Sequence, residues 1–253
     1  MTKADGMNSS FLKSYAVLCN LANITSINDS TKNTFLMMSN DLPHDPMLLQ
    51  EPAFEPSEHV DNSSVGESYM KKTDGNGNTL LMKDDYQLTH YQTNVAAMLK
   101  LGEWLDYMKE EGVYDNTRII IVSDHGRGLE DNIMPQLVFT DENGSMRSFD
   151  SGFYDSVLMV KDFDSKEYTS NDNLISNADT PYIAVNGLIK DPVNPYTGNR
   201  ISRFIDQKEQ PELIYTADWD TDENNGNTFL PADWLTVHDN IYNKENWGYL
   251  GVK

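Results

Sequence analysis

The 253-residue sequence predicts an α/β fold built on a mostly parallel central sheet. Three stretches carry that expectation. Ile119-Ile120-Ile121-Val122 is a β-branched run without period-2 alternation, which reads as a short strand buried on both faces. The clearest helix of the chain, Tyr86–Gly112, precedes it through a turn at Asp115-Asn116. Helix, short turn and buried strand form the right-handed crossover unit of a parallel sheet. Ser156–Lys161 (SVLMVK) supplies a further strand.

From the N-terminus, Phe11, Leu12, Tyr15, Leu18 and Leu21 share one face of a helix over about Asn8–Ala22, with Asn8 or Ser9 as its cap. Cys19 falls among these residues and is expected to be buried. After a polar connector, Thr34–Ser39 (TFLMMS) is an apolar run of strand length. NDLPHDP follows at once, and Pro43 and Pro46 bracket His44 and forbid a regular element there. His44 is thereby a loop residue at the carboxyl end of a strand. Met47–Val60, with Pro52 and Pro56, reads as an extended surface segment, and Asn62–Asp84 as loop. Its run Asp74–Asn78 lacks the sixth-position glycine and closing glutamate of a calcium loop, so a turn is expected. In the long helix, Tyr91, Val95, Met98, Leu99, Leu105 and Met108 make an apolar stripe, and Gly112 stops it. His90, near its start, reads as structural.

Beyond the Ile119–Val122 run lie Asp124, His125 and Gly126. Ligands of open α/β sheets collect just past the carboxyl ends of the strands. A carboxylate and an imidazole together suit zinc or a transition metal; the alternative makes His125 an ordinary loop residue and Asp124 a helix cap. Arg127–Asp150 mixes loop with a hairpin around Asp141–Gly144. Arg127 and Arg147 are rare positive charges able to contact an anionic group. Asp179 as cap and Pro181 in the first turn start a helix over Thr180–Ile189. Arg200–Tyr215 carries no clear signal. The tail from Tyr215 holds three of the four tryptophans and a turn signal at Asp222–Asn227, and His238 lies in strand-like alternation. With no internal repeat and no linker, one domain is expected, with its core over about residues 34–190 and a cover or hairpin over 191–253.

Formal net charge is −21, from 19 Lys and Arg against 40 Asp and Glu. Such a surface repels nucleic acid and anionic lipid, so no nucleic-acid partner is expected. An anionic substrate would need local positive charge at its site, most simply a metal ion. A single cysteine excludes an intramolecular disulfide and an all-cysteine zinc site. No stretch reaches the roughly 20 apolar residues of a membrane span.

The order NDLPHDP, THYQTNVAAMLKLGEWLDYMKEEGVYDNTRIIIVSDHG, SVLMVKDF and NADTPYIAVNGLI resembles the sulfatase-like part of the alkaline phosphatase superfamily. Within it the sequence is most similar to the extracellular domains of lipoteichoic-acid-synthase-like phosphoglycerol transferases. The likeness spans about residues 34–190. It implies an alkaline-phosphatase-like sandwich, incomplete at the N-terminus, with Asp124 and His125 as metal ligands and His44 in the substrate site. Arg127 is the further substrate-side candidate. Histidine in the second position of the pair favours Mn or Zn over Ca. The implied substrate is a phosphate or sulfate ester of the cell envelope, at the extracellular face of the membrane. The family's threonine nucleophile and the C/S-x-P-x-R motif of sulfatases are both missing, and Met98 replaces a common aspartate. The expectation is therefore the carboxyl-terminal portion of a larger enzyme, inactive alone, whose N-terminal part brings the nucleophile and membrane helices. The alternatives are a sulfuric ester hydrolase and a non-catalytic glycan- or polymer-binding domain.

Overall fold

The computed structural model describes residues 2–29, 32–73, 77, 79–129, 133–171, 173–203, 211–216, 222 and 229–253. The chain falls into two units, Met1–Thr117 and Arg118–Lys253, each with its own apolar clusters.

In the first unit, strand β1 (Lys3–Asp5) leads to helix α1 (Ser9–Cys19). Asn8 caps α1, its side-chain oxygen accepting from the N–H groups of Ser10 and Phe11 at 2.8 and 3.2 Å. Phe11, Tyr15 and Leu18 face inward, and a short helix α2 (Leu21–Ile24) adds Leu21. Cys19 is exposed, contrary to expectation, because it lies at the edge of that stripe in the last turn. Strand β2 (His59–Asp61) pairs antiparallel with β1, and β3 (Lys71–Thr73) with β4 (Thr79–Leu81). Asn62–Asp84 is thus a 3-10 turn over Ser63–Tyr69 and a hairpin rather than plain loop. Of the turn expected at 74–78, residues 74–76 and 78 lie outside the described residues.

Helix α3 (Asp85–Glu110) starts where Asp84 accepts from the Gln87 N–H and stops before Gly112, whose φ of 72° suits glycine. Of the expected stripe Met108 is buried, but the rest of the buried face is different. Leu88, Gln92, Thr93, Ala96 and Ala97 are buried, whereas Tyr91, Val95 and Met98 are half-buried and Leu99 is exposed. Ala96 packs with Phe11 and Leu49, and Ala97 with Leu18 and Leu21. Small side chains let α1 approach there. Gln92 is buried because it serves backbone: its Oε1 accepts from the Leu49 N–H at 3.0 Å. Its Nε2 donates to Glu51 at 2.8 Å, beside the Lys72 ammonium, which lies 2.7 Å from both Glu51 oxygens. Asn62 Nδ2 donates to the Leu49 carbonyl. With its backbone satisfied, Met47-Leu48-Leu49 is core, not the surface segment its prolines suggest.

The apolar run Thr34–Ser39 forms no strand. Phe35, Leu36 and Met37 are 79%, 77% and 82% exposed.

In the second unit, strand β5 (Ile119–Val122) is formed as expected, but its partner β8 (Leu158–Lys161) runs antiparallel. Strands β6 (Gln136–Thr140) and β7 (Met146–Asp150) make the hairpin expected at Asp141–Gly144. Strands β9 (Glu212–Tyr215), β10 (Asp233–Val237) and β11 (Trp247–Val252) form an antiparallel sheet in that order. Residues 204–210 of the unassigned stretch, and all but residue 222 of the turn signal at 222–227, lie outside the described residues. The fold is mixed α and β. All strand pairs among the described residues are antiparallel, so the parallel crossover read from helix, turn and strand does not appear there. With one strand neighbour among the described residues, β5 is half-buried and Val122 exposed, instead of buried on both faces. The core of this unit lies in its C-terminal half, where Leu137 and Phe149 meet Leu235, Val237 and Trp247. Helix α4 (Thr180–Val185) carries Pro181 in its first turn and ends earlier than expected, ahead of Gly187 at φ 76°. No helix among the described residues is long and apolar enough to cross a membrane.

Candidate metal centre

Past β5 the chain is shaped by close packing. The Ser123 N–H donates to the Val157 carbonyl, and the Ser123 hydroxyl accepts from the Val157 N–H at 2.8 Å, prolonging the β5–β8 ladder by one residue. Gly126 then lies against the 3-10 turn Ser151–Tyr154, donating its N–H to the Phe153 carbonyl at 2.9 Å. A Cβ on Gly126 would meet the carbonyl oxygens of Gly152 and Asp155 at 2.2 and 2.6 Å. One on Gly128 would meet Phe153 at 2.6 Å. Gly126 is therefore required by backbone approach, and Gly128 by the side chains of Phe153 and Asp150.

The pair itself is oriented. His125 Nδ1 lies 2.6 Å from the Gly126 carbonyl oxygen. A carbonyl only accepts, so Nδ1 carries a proton, and in the neutral imidazole Nε2 is the nitrogen that can ligate. Asp124 Oδ1 accepts the backbone N–H of His125 at 2.9 Å, which leaves Oδ2 turned to the imidazole. Oδ2 and Nε2 are 3.7 Å apart. One metal ion with bonds of about 2.0–2.2 Å spans that separation at an angle of roughly 120°. The side chains are 89% and 53% exposed, so an ion could enter directly. The donors therefore fit a divalent cation as two of its ligands. Among the described residues, no group of three or more His, Cys, Asp or Glu converges to complete the shell.

Arg127 is exposed and follows directly in sequence. Arg147 is engaged elsewhere: its guanidinium lies 3.3 Å from Asp141 and 4.0 Å from Asp233. The Asp141 carboxyl is held below its ordinary range, chiefly by the N–H of Ser145. His44 belongs to the first unit, exposed in a turn where its N–H donates to the Asp41 carbonyl at 2.7 Å and its ring lies 3.8 Å from Asp45. His90 is buried in α3, edge-on to Tyr86 at 4.6 Å, and His238 follows β10 directly, its ring 2.8 Å from Asp239.

One residue at the centre escapes a reading by residue type. Asn177 donates from Nδ2 to the carbonyls of Ser123 and Asp124, at 2.7 and 2.6 Å. It sits in a 3-10 turn (Asn177–Asp179) closed by a capping box between Ser176 and the fully buried Asp179. Asp179 was expected to cap α4. It holds the cap position, but its carboxylate accepts from the Ser176 N–H at 3.0 Å. The S-x-x-D spacing was the available signal for this turn.

Compared with known proteins, the chain matches no family model, no curated protein and no solved structure.

Proposed function

We propose that this chain carries metal-ligating residues of a sulfatase-like phosphoryl or phosphoglycerol transferase or hydrolase, acting on anionic esters of the cell envelope at the extracellular face of the membrane. In this reading the complete catalytic domain is an alkaline-phosphatase-like sandwich with a mostly parallel central sheet. The observation that carries it is the Asp124–His125 geometry: the exposed imidazole Nε2 and carboxylate Oδ2 lie 3.7 Å apart just past the end of a β-strand. A bound Mn or Zn ion would neutralise charge on the non-bridging oxygens of a phosphate or sulfate ester. The chain's own residues hold and orient that ion. Asp124 Oδ2 and His125 Nε2 donate to it, and the Gly126 carbonyl fixes the imidazole tautomer. Arg127 supplies a positive charge next to the pair for the anionic ester.

The test is a titration of the full chain with Mn²⁺ or Zn²⁺, read by calorimetry. Weak binding is expected, lost in Asp124→Ala and in His125→Ala, and kept in His44→Ala. Binding unchanged in Asp124→Ala would remove the assignment.

A further inference from the structure

We propose that Asn177 is the positioning residue of the Asp124–His125 pair, setting its donor geometry through the backbone rather than by touching a ligand. This rests on the metal-binding reading above. Asn177 Nδ2 reaches two consecutive carbonyl oxygens, of Ser123 and Asp124, at 2.7 and 2.6 Å. One amide group serving both carbonyls fixes the orientation of the peptide between them, and that peptide sets the direction in which the Asp124 side chain leaves the strand. From the other side, Ser123 is tied to Val157 through its N–H and its hydroxyl. Asp124 is thus gripped between the ladder and Asn177. Without Asn177, its own carbonyl and that of Ser123 turn to water, and the Oδ2 to Nε2 separation of 3.7 Å is no longer imposed.

Asn177 is itself prevented from moving. The capping box joins Ser176 to Asp179, and Asp179 is wholly buried. The Ser176 hydroxyl accepts the Ala178 N–H at 3.2 Å, and Asp179 Oδ2 accepts the Ser176 N–H at 3.0 Å. The rigid element that anchors the amide therefore lies over fifty residues away in sequence from the pair it orients. Supports of this kind around metal ligands alter affinity by about 10–100-fold when removed. A purely structural asparagine would change melting and leave ion affinity alone.

The experiment measures Mn²⁺ affinity by the electron paramagnetic resonance signal of free Mn²⁺, with melting followed by circular dichroism on the same samples. The 253-residue chain is compared with Asn177→Ala, Asn177→Asp and Asp124→Ala. Asn177→Asp keeps the size and removes both N–H donors. It decides the question should Asn177→Ala lose its folded signal. The expected result is an affinity at least about tenfold weaker in the Asn177 variants, and none in Asp124→Ala. Wild-type affinity in a folded Asn177→Asp, alongside loss in Asp124→Ala, overturns the role of Asn177 and leaves the metal reading standing. Failure of the unsubstituted chain to bind Mn²⁺, or Zn²⁺ in the calorimetric titration, overturns the metal reading, and this role with it.

Discussion

Gly126 is the residue on which the geometry of the candidate centre depends most directly. Any side chain there collides with backbone: the carbonyl oxygens of Gly152 and Asp155 lie 2.2 and 2.6 Å from where a Cβ would stand. Backbone cannot swing aside as a flexible side chain can. Gly126→Ala should therefore push the loop off the 3-10 turn, at about 1–3 kcal/mol, the usual cost of overpacking. Melting followed by circular dichroism should show the midpoint falling by several degrees, and Mn²⁺ affinity should fall with it. Gly6→Ala, with nothing within 4 Å of its Cβ, controls for the loss of a glycine as such, its own strain at φ 85° included. A Gly126→Ala chain melting like the parent would show that the loop does not pack here. At this scale residue type could nominate a pair such as Asp124 and His125, whose donor atoms the fold leaves 3.7 Å apart. It could not nominate Asn177, because that residue's work is to donate to carbonyls 54 and 53 residues away, and that proximity exists only in the fold.

Between elements, Arg118 ties the start of β5 to two neighbours. Its Nε and Nη2 donate to Asp162 at 2.9 and 3.1 Å, just after β8. Its Nη1 donates to the carbonyls of Ile183 and Asn186 at 2.9 and 2.8 Å, at the C-terminal end of α4. These carbonyls have no intrahelical partner, and a cation at a helix C-terminus is favourable. Arg118→Ala should cost about 1–3 kcal/mol, and Arg118→Lys should recover little, since an ammonium cannot serve the carboxylate fork and two carbonyls together. The guanidinium also holds the Asp162 carboxyl below its ordinary range. A carboxyl depressed in the folded state contributes stability above its unfolded pKa of about 3.9, and loses it as pH falls through the lower folded value. Asp162 is half-exposed, so this share is below about 1 kcal/mol. Denaturant melts from pH 6 to pH 2 should show a loss below pH 4 that is smaller in Arg118→Ala; equal losses would dismiss the pair as a source of acid sensitivity. The first helix was legible through its cap Asn8 and the end of the long one through Gly112, because such end signals are local chemistry, whereas the Asp84 cap of α3 went unread. Most of the buried face of α3 also went unread. It is chosen by Ala96 and Ala97 for close approach and by Gln92 for the backbone it satisfies, and apolar spacing detects neither.

For the whole chain, the α and β content followed from the sequence, and the direction of strand pairing did not. Periodicity reports how many faces of a strand are apolar; it says nothing about which neighbour covers them. Both apolar runs read as buried strands show the gap. Among the described residues, Ile119–Val122 finds one antiparallel partner, and Phe35–Met38 finds none. Phe35, Leu36 and Met37 consequently stand in solvent at 79%, 77% and 82% exposure, on a chain whose formal net charge is −21. The two features oppose each other. Burying one such side chain is worth about 1.5–3 kcal/mol, which favours association through this segment. Mutual repulsion of the acidic chains works against it. Salt decides between them, because the screening length falls from about 10 Å at 0.1 M to about 3 Å at 1 M while the apolar term persists. Sedimentation velocity should therefore find the chain monomeric at low ionic strength and associating at 1 M NaCl. The triple variant Phe35→Ser, Leu36→Ser, Met37→Ser should abolish that association. Exposed substitutions change stability by no more than about 0.5 kcal/mol each, so its melting midpoint should stay close to the parent's. A clear drop in the midpoint would mean that these side chains are packed within the folded chain; association that survives the triple variant would place the adhesive surface elsewhere.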